Sequence, residues 1–261
     1  MLPTSNTASL SAIAFDSGSH LSAPAAFGDG QSVTVNTGNA TILTTGANAH
    51  GIFAQSVGSG GGIWSSTDGA SSMRAGTSGG AGSNGTGGSV TVTQAGTLVT
   101  TGAHATGIFA QSTGMADNLD YPVNGVITVN VNGYVSGGSG GGGWGVWVDS
   151  TNSINAINIG AGGLVRSESG QAIQATGVGH NNVYNSGTVV GSYWLKTPLY
   201  GGSFNNQNGG VLVPQGTLRG DLNNAGMVFL ASVPDVWARG WKAASSMAGR
   251  RWSLRSADHG R

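Results

Sequence analysis

The chain has 261 residues, of which 49 are glycine, only 8% are charged and none is cysteine. Ten basic and ten acidic residues balance to zero, which leaves no positive field for gathering phosphates and argues against nucleic acid as a partner. The lack of cysteine excludes a disulfide framework and any thiolate metal site. An ordinary soluble domain is about 25% charged and about 7% glycine. Yet 38% of this chain is hydrophobic, and many of those residues alternate with polar ones. A repetitive β-structure surfaced by Thr, Ser and Asn reconciles these facts.

Residues 1–30 read as an irregular N-terminal segment. Its start, Met1-Leu2-Pro3-Thr4-Ser5-Asn6, lacks the basic-then-apolar order of a secretory signal. No hydrophobic run in the sequence approaches the ~20 residues of a membrane span.

From residue 31 onward internal repetition dominates. The segment Thr41-Ile42-Leu43-Thr44-Thr45-Gly46, running on to Gly51-Ile52-Phe53-Ala54-Gln55-Ser56, recurs 56 residues later as Thr97-Leu98-Val99-Thr100-Thr101-Gly102 and Gly107-Ile108-Phe109-Ala110-Gln111-Ser112. Weaker echoes are Gly145-Val146-Trp147-Val148-Asp149-Ser150 and Ala172-Ile173-Gln174-Ala175-Thr176. A second unit, apolar-x-Asn-x-Gly-x-apolar, is clearest at Val183–Val189 and Leu222–Val228. Its copies start at 35, 92, 129, 159, 183, 204 and 222, giving steps of 57, 37, 30, 24, 21 and 18. The later steps approach the turn of a β-solenoid, about 20–25 residues. The early ones are lengthened by Gly-rich tracts at Gly58–Gly62, Gly79–Gly88 and Gly137–Gly143.

Val33-Thr34-Val35, Val90-Thr91-Val92 and Ile127-Thr128-Val129 alternate apolar and polar residues, the period of a strand with one buried face. The Asn-x-Gly steps supply residues that tolerate positive φ, so the chain is expected to turn there. One such rung cannot bury its apolar face alone and needs neighbours above and below. The pattern predicts an all-β, right-handed parallel β-helix over residues 31–232. Roughly eight rungs, at the strand spacing of about 4.8 Å, give a rod on the order of 40 Å long. No helical stripe persists in that range.

Residues 233–261 change character. Six basic residues stand there against Asp235 and Asp258, with Trp237, Trp241 and Trp252. The segment reads as a basic Trp/Arg-rich tail, either a short amphipathic helix or a disordered stretch.

His50-Gly51-Ile52-Phe53-Ala54-Gln55-Ser56-Val57-Gly58-Ser59-Gly60-Gly61-Gly62, with the Val-Thr-Val strands and Asn-x-Gly turns, resembles the passenger domains of autotransporter proteins (type V secretion). The resemblance covers residues 31–232 and is strongest over 31–115. It implies a β-helical passenger carried across an outer membrane by a C-terminal translocator β-barrel, and a location on the cell surface or outside the cell. A barrel needs about a dozen strands of roughly 10 residues, which the stretch after Ser232 cannot supply. The chain is therefore expected to be a fragment, or a truncated reading frame, whose missing translocator barrel belongs to the full-length protein. The absence of cysteine fits a passenger that threads a narrow pore unfolded.

Motifs with chemical associations are sparse. Gly-x-Ser-x-Gly at Gly76–Gly80 and at Gly137–Gly141 lacks the strand–helix context and the His and acid partners of a nucleophile elbow. Asp117 and Asp120 are the only near pair of acids, beside Tyr121-Pro122, and read as a solvated loop. His50 and His104 do not occupy equivalent repeat positions and read as surface turn residues. No catalytic residue, metal ligand or cofactor is assigned. Arg219-Gly220-Asp221 is a weak adhesion motif set among compact rungs, with no insert to project it. If Ile52 and Ala54 point inward, then Phe53, Gln55, Phe109, Gln111 and Trp147 point outward. They form either an exposed stripe for a partner or a stripe covered by the Gly-rich loops that follow.

The expected function is a non-catalytic surface stalk or adhesin-like binding module whose partner is a host surface, a matrix or a second rod. A self-associating biofilm or matrix component is the first alternative. A polysaccharide-active β-helix enzyme is the disfavoured second.

Overall fold

The computed structural model describes residues 29–58, 63–64, 74–75, 85–114, 124–150, 154–177, 180–195, 201–229 and 253–254. Every regular element among them is a strand. The first face contains Val33–Asn36, Val90–Gln94, Ile127–Val131, Ile154–Ile159, His180–Asn185, Ser203–Asn206 and Asp221–Asn224. The second contains Thr41–Thr44, Thr97–Thr100, Tyr134–Gly137, Leu164–Ser167, Thr188–Val190, Val211–Val213 and Met227–Val228. The third contains Ile52–Val57, Ile108–Thr113, Val146–Ser150, Gln171–Gly177, Ser192–Trp194 and Leu218–Arg219. Within each face these strands pair in parallel, each with the strand one turn earlier and one turn later.

The chain is thus a parallel β-helix. Its described part has six turns of three strands and a seventh of two, about one rung fewer than the sequence suggests and roughly 30 Å along the axis at the usual strand spacing. The first Gly-rich insert carries a small antiparallel hairpin of its own, Ile63–Trp64 with Arg74–Ala75. The segment before residue 29 lies outside the described residues. So does the basic tail, apart from Ser253–Leu254, which pairs antiparallel to Asp221–Asn224.

The repeats map onto this architecture column by column. Val35, Val92, Val129, Ile157, Val183, Phe204 and Leu222 are register partners on the first face. The fourth rung therefore enters at Ile157, two residues before the Ile159 expected from the spacing. Ile159 still faces inward, because a shift of two preserves parity. On the second face the inward column is Ile42, Leu98, Val135, Val165, Val189, Leu212 and Val228. On the third it runs Ile52, Ile108, Val146, Ile173, Tyr193 and Leu218. These columns meet along the axis in one apolar core. Tyr193 stacks on Phe204 inside it, with ring centroids 4.7 Å apart.

The turn from the first face to the second follows the sequence expectation in part: Gly38 and Gly209 take positive φ there, at 53° and 84°, but the asparagines do not. Asn185, Asn206 and Asn224 are not in the left-handed region; among the described non-glycine residues only Asn48 and His104 are. The three asparagines instead point into the tube and form a ladder. Asn185 Nδ2 donates to Asn206 Oδ1 at 2.8 Å, and Asn206 Nδ2 to Asn224 Oδ1 at 2.7 Å. Asn185 Oδ1 accepts the Gly187 N–H two residues on, at 3.1 Å, an Asx turn. Their amides satisfy backbone groups that the bend takes out of the strand ladder.

The glycine of the same unit is needed for space. Ala40, Gly96, Gly133, Gly163, Gly187, Gly210 and Gly226 lie in a stack in which each carbonyl through Gly210 accepts an N–H from the rung above. A Cβ on Gly187 would sit 2.3 Å from the carbonyl oxygens of Gly160 and Gly163, and one on Gly133 would sit 2.1 Å from that of Gly96. Backbone presses on backbone there, so no side chain can swing away. Gly137, Gly138 and Gly143 likewise pack tightly at the corner between the second and third faces, where a Cβ on Gly137 would meet the Trp144 carbonyl oxygen at 2.1 Å, and Gly140 and Gly141 are exposed at its tip. The tract is not a projecting insert.

Gly187→Ala is expected to destabilise the rod by more than about 3 kcal/mol, the range of severe packing lesions. Gly141→Ala, where nothing lies within 4 Å of the added carbon, should change stability by less than about 0.5 kcal/mol. Paired urea titrations measure the difference; similar midpoints for the two variants would refute the close-approach account.

Candidate interaction surface

The residues singled out on the third face are brought together. Phe53, Phe109 and Trp147 are direct register partners, as are Gln55, Gln111 and Asp149. Ile52 and Ala54 point into the core, which sends the intervening side chains to the outside of the tube. The outer column continues through Gln174 and Trp194 to Arg219.

The early part of this column is closed over. Phe109 is 1% exposed and Trp147 9%, and with Trp144 they make a second small core outside the tube, against which Phe53 packs. Phe53 and Phe109 stack at 5.2 Å, and Trp147 meets Phe109 edge-on at 5.0 Å. Trp144, at the end of the Gly137–Gly143 tract, was not singled out from the sequence. Its signal was a bulky aromatic placed directly behind a run of glycines.

A polar ladder runs alongside. Gln55 Nε2 donates to Gln111 Oε1 at 2.6 Å, and Gln111 Nε2 donates to Asp149 Oδ2 at 2.8 Å. Thr176 Oγ1 donates to Asp149 Oδ1 at 2.6 Å and accepts from Trp147 Nε1 at 3.0 Å. The Asp149 carboxylate is therefore held by two donors, as a structural group. The other described acids are dispersed. Asp29 accepts from the Thr86 amide and hydroxyl, which hold its carboxyl below the usual range. Glu168 lies after the second face and Asp221 begins a strand of the first. No three His, Asp or Glu side chains converge on a metal-sized site among the described residues. Asp117, Asp120 and the motif at Gly76–Gly80 fall outside them.

His50 is not a surface turn residue. Its ring stacks over Phe53 and Phe109, at 6.1 and 5.9 Å, and its Nδ1 accepts the Thr106 N–H at 2.9 Å. The ring proton then belongs on Nε2, which is buried without a partner. Burial pushes the imidazole pKa from 6.5 down to about 4. His104 does occupy a turn. Its φ of 59° matches the 57° of Asn48, the equivalent position one repeat earlier. Ser139 of the second Gly-x-Ser-x-Gly pairs with Ala103 through the backbone at that same corner.

The Arg219-Gly220-Asp221 tripeptide forms the corner between the third and first faces. The Arg219 guanidinium carbon lies 4.1 Å from the centre of the Trp194 ring, and Gly220 takes a φ of 131°. Tyr193, inside the tube, has its hydroxyl pKa raised by burial and then by the negative charge of Asp221.

No family model, curated protein or solved structure matches this chain.

Because the His50 pKa is depressed in the folded state, its neutral form contributes stability that is complete above pH 6.5 and is lost as the pH falls toward 4. At about 1.4 kcal/mol per unit, the loss amounts to as much as about 3 kcal/mol. Denaturation midpoints between pH 7 and pH 4 should fall more steeply for the native chain than for His50→Phe, which keeps the stack but cannot ionise. Parallel slopes would show that His50 is solvated.

Proposed function

We propose that this chain is a passenger-type β-helical stalk that acts at the bacterial cell surface as a non-catalytic, adhesin-like binding module, similar to the passengers of autotransporter proteins. The observation that supports it most is the stacking of the two Gly-Ile-Phe-Ala-Gln-Ser segments, side chain on like side chain, from Ile52 on Ile108 to Ser56 on Ser112. The segment that suggested the resemblance thus forms two neighbouring rungs of the third face. Its physical role is to present a long, nearly uncharged face of Thr, Asn and Gln at a distance from whatever anchors it. A translocator β-barrel is the partner this reading requires in the full-length protein, and a host surface or matrix is its external partner.

The dispersal of the described carboxylates weighs against the polysaccharide-active enzyme, whose chemistry needs acids gathered over one substrate. Self-association is favoured by one specific observation. Met227 and Phe229, on either side of the inward Val228 in the last described rung, are 51% and 54% exposed, an apolar patch that suits contact with a second rod.

The chain should be fused between a secretion signal and a translocator barrel and displayed on bacteria. Protease-sensitive display and adhesion to epithelial cells or extracellular matrix several-fold above barrel-only bacteria are expected. Efficient display with adhesion equal to barrel-only bacteria would refute the adhesin reading. Clumping of the displaying cells without adhesion would favour self-association.

A further inference from the structure

The outward sides of the three faces differ in chemistry. The first carries Thr, Ser and Asn between its inward residues, as at Thr91, Thr128, Asn158 and Asn205. The third is covered over its early rungs by its own stacked aromatics and Trp144. The second is apolar outside as well as inside from the fourth rung onward. There Val165, Val189, Leu212 and Val228 point into the core, which turns the residues beside them to the outside. Six of those are Leu164, Val190, Val211, Val213, Met227 and Phe229; the other two are Arg166 and Thr188.

Val211-Leu212-Val213 and Met227-Val228-Phe229 lack the alternation of a strand with one wet side, and continuous apolar runs belong to strands covered on both sides. All six outward apolar residues keep part of their surface in solvent, Met227 and Phe229 about half of it. They lie in two columns. Leu164, Thr188, Val211 and Met227 are register partners, and Arg166, Val190, Val213 and Phe229 follow two residues on. The N–H of Phe229 donates to the Leu212 carbonyl at 2.9 Å, which carries the ladder through to the end of the strip.

We propose that this strip docks a second copy of the chain, the two rods antiparallel and their second faces outer side to outer side. The strip is ribbed at the strand spacing, and the surface that matches its ribs is another such sheet, packed about 10 Å away. Over these four rungs it holds no carboxylate and one cation, so like charges do not oppose the pairing. That cation also has a counterpart in the same strip. A two-fold axis along the strands, between the fifth and sixth rungs, sets Val190 against Val213 of the second copy and Leu164 against its Met227. The same axis sets Arg166 against Phe229 of the second copy, guanidinium to aromatic ring, twice by symmetry. Four strands at about 4.8 Å and three residues at about 3.3 Å cover on the order of 200 Å² in plan. A standard interface takes roughly 800 Å² from each partner, so the pair is weak in solution and forms where many copies stand side by side. The inference gives the self-association reading above its contact surface and rests on that reading only for its biological setting.

The test is sedimentation equilibrium of the purified full chain up to millimolar concentration. A reversible monomer–dimer equilibrium is expected, weakened at least tenfold in Val190→Glu and in Val213→Lys. Both replace outward side chains, and circular dichroism checks that the variants keep their fold. Mixing the two variants should restore association to the native level, because the introduced carboxylate of one chain then faces the introduced ammonium of the other. Tyr184→Ala, on the first face, should associate as the native chain does. A native chain that stays monomeric, a dimer indifferent to both substitutions, or a mixture no stronger than either variant would each overturn the proposal. A monomeric native chain with urea midpoints lowered in both variants would show that a segment of the same chain covers the strip instead. Adhesion of displaying bacteria alongside a monomeric purified chain keeps the stalk reading and defeats the pairing. A dimer rescued by mixing, with no adhesion of displaying bacteria, does the reverse.

Discussion

The structure depends on how closely one rung can approach the next at the bend between the first two faces. Carbonyls of Ala40, Gly96, Gly133, Gly163, Gly187 and Gly210 each accept an N–H from the following rung, and a methyl group on the stacked glycines would strike backbone at little more than 2 Å. Strand pairing holds the faces together, but this column keeps them continuous through a corner. It lets the hydrogen-bond ladder turn without leaving buried amides unmatched. The high glycine content is, in this part of the molecule, a packing requirement.

Polar residues inside the tube follow the same logic. Asn155 Nδ2 donates to Asn181 Oδ1 at 2.8 Å while Asn155 Oδ1 accepts the Ile127 amide at 3.0 Å, and the Asn185–Asn206–Asn224 ladder does the equivalent at the bend. Each side chain is satisfied by its counterpart one turn away, so the ladders work only while register holds. A slip of one residue would turn the amides outward and the outer residues inward. The apolar columns supply the drive to collapse, and the amide ladders help decide which register collapses.

Much of the rod was legible because its repeats are periodic in side-chain chemistry. Six of the seven starting positions read from spacing are register partners on the first face, since β-branched residues before an Asn-x-Gly unit mark the strand that enters the bend. The fourth was displaced by two residues because its bend is longer. Ile159-Gly160-Ala161-Gly162-Gly163 fits the spacing rule better than Ile157 does, although Ile157 is the partner of Val129. The role of the asparagines was misread because their usual tolerance of positive φ is a local property, whereas their use here depends on rungs above and below. The outer aromatic column was legible from alternation. Its enclosure by Trp144 and its continuation to Trp194 were not, for they depend on the relative lengths of successive corners.

Interchangeable rungs have a consequence for how such a molecule changes length. Val183, Phe204 and Leu222 occupy the same site in consecutive coils, so excising the segment from one to the next joins two equivalent points and leaves every remaining column intact. Recombination between the near-identical stretches around Ile52 and Ile108 would do the same in a single event. Variants differing by whole coils should therefore remain foldable where a loss of a few residues would not, and the reach of the rod becomes a quantity that evolution can adjust in steps of one strand spacing.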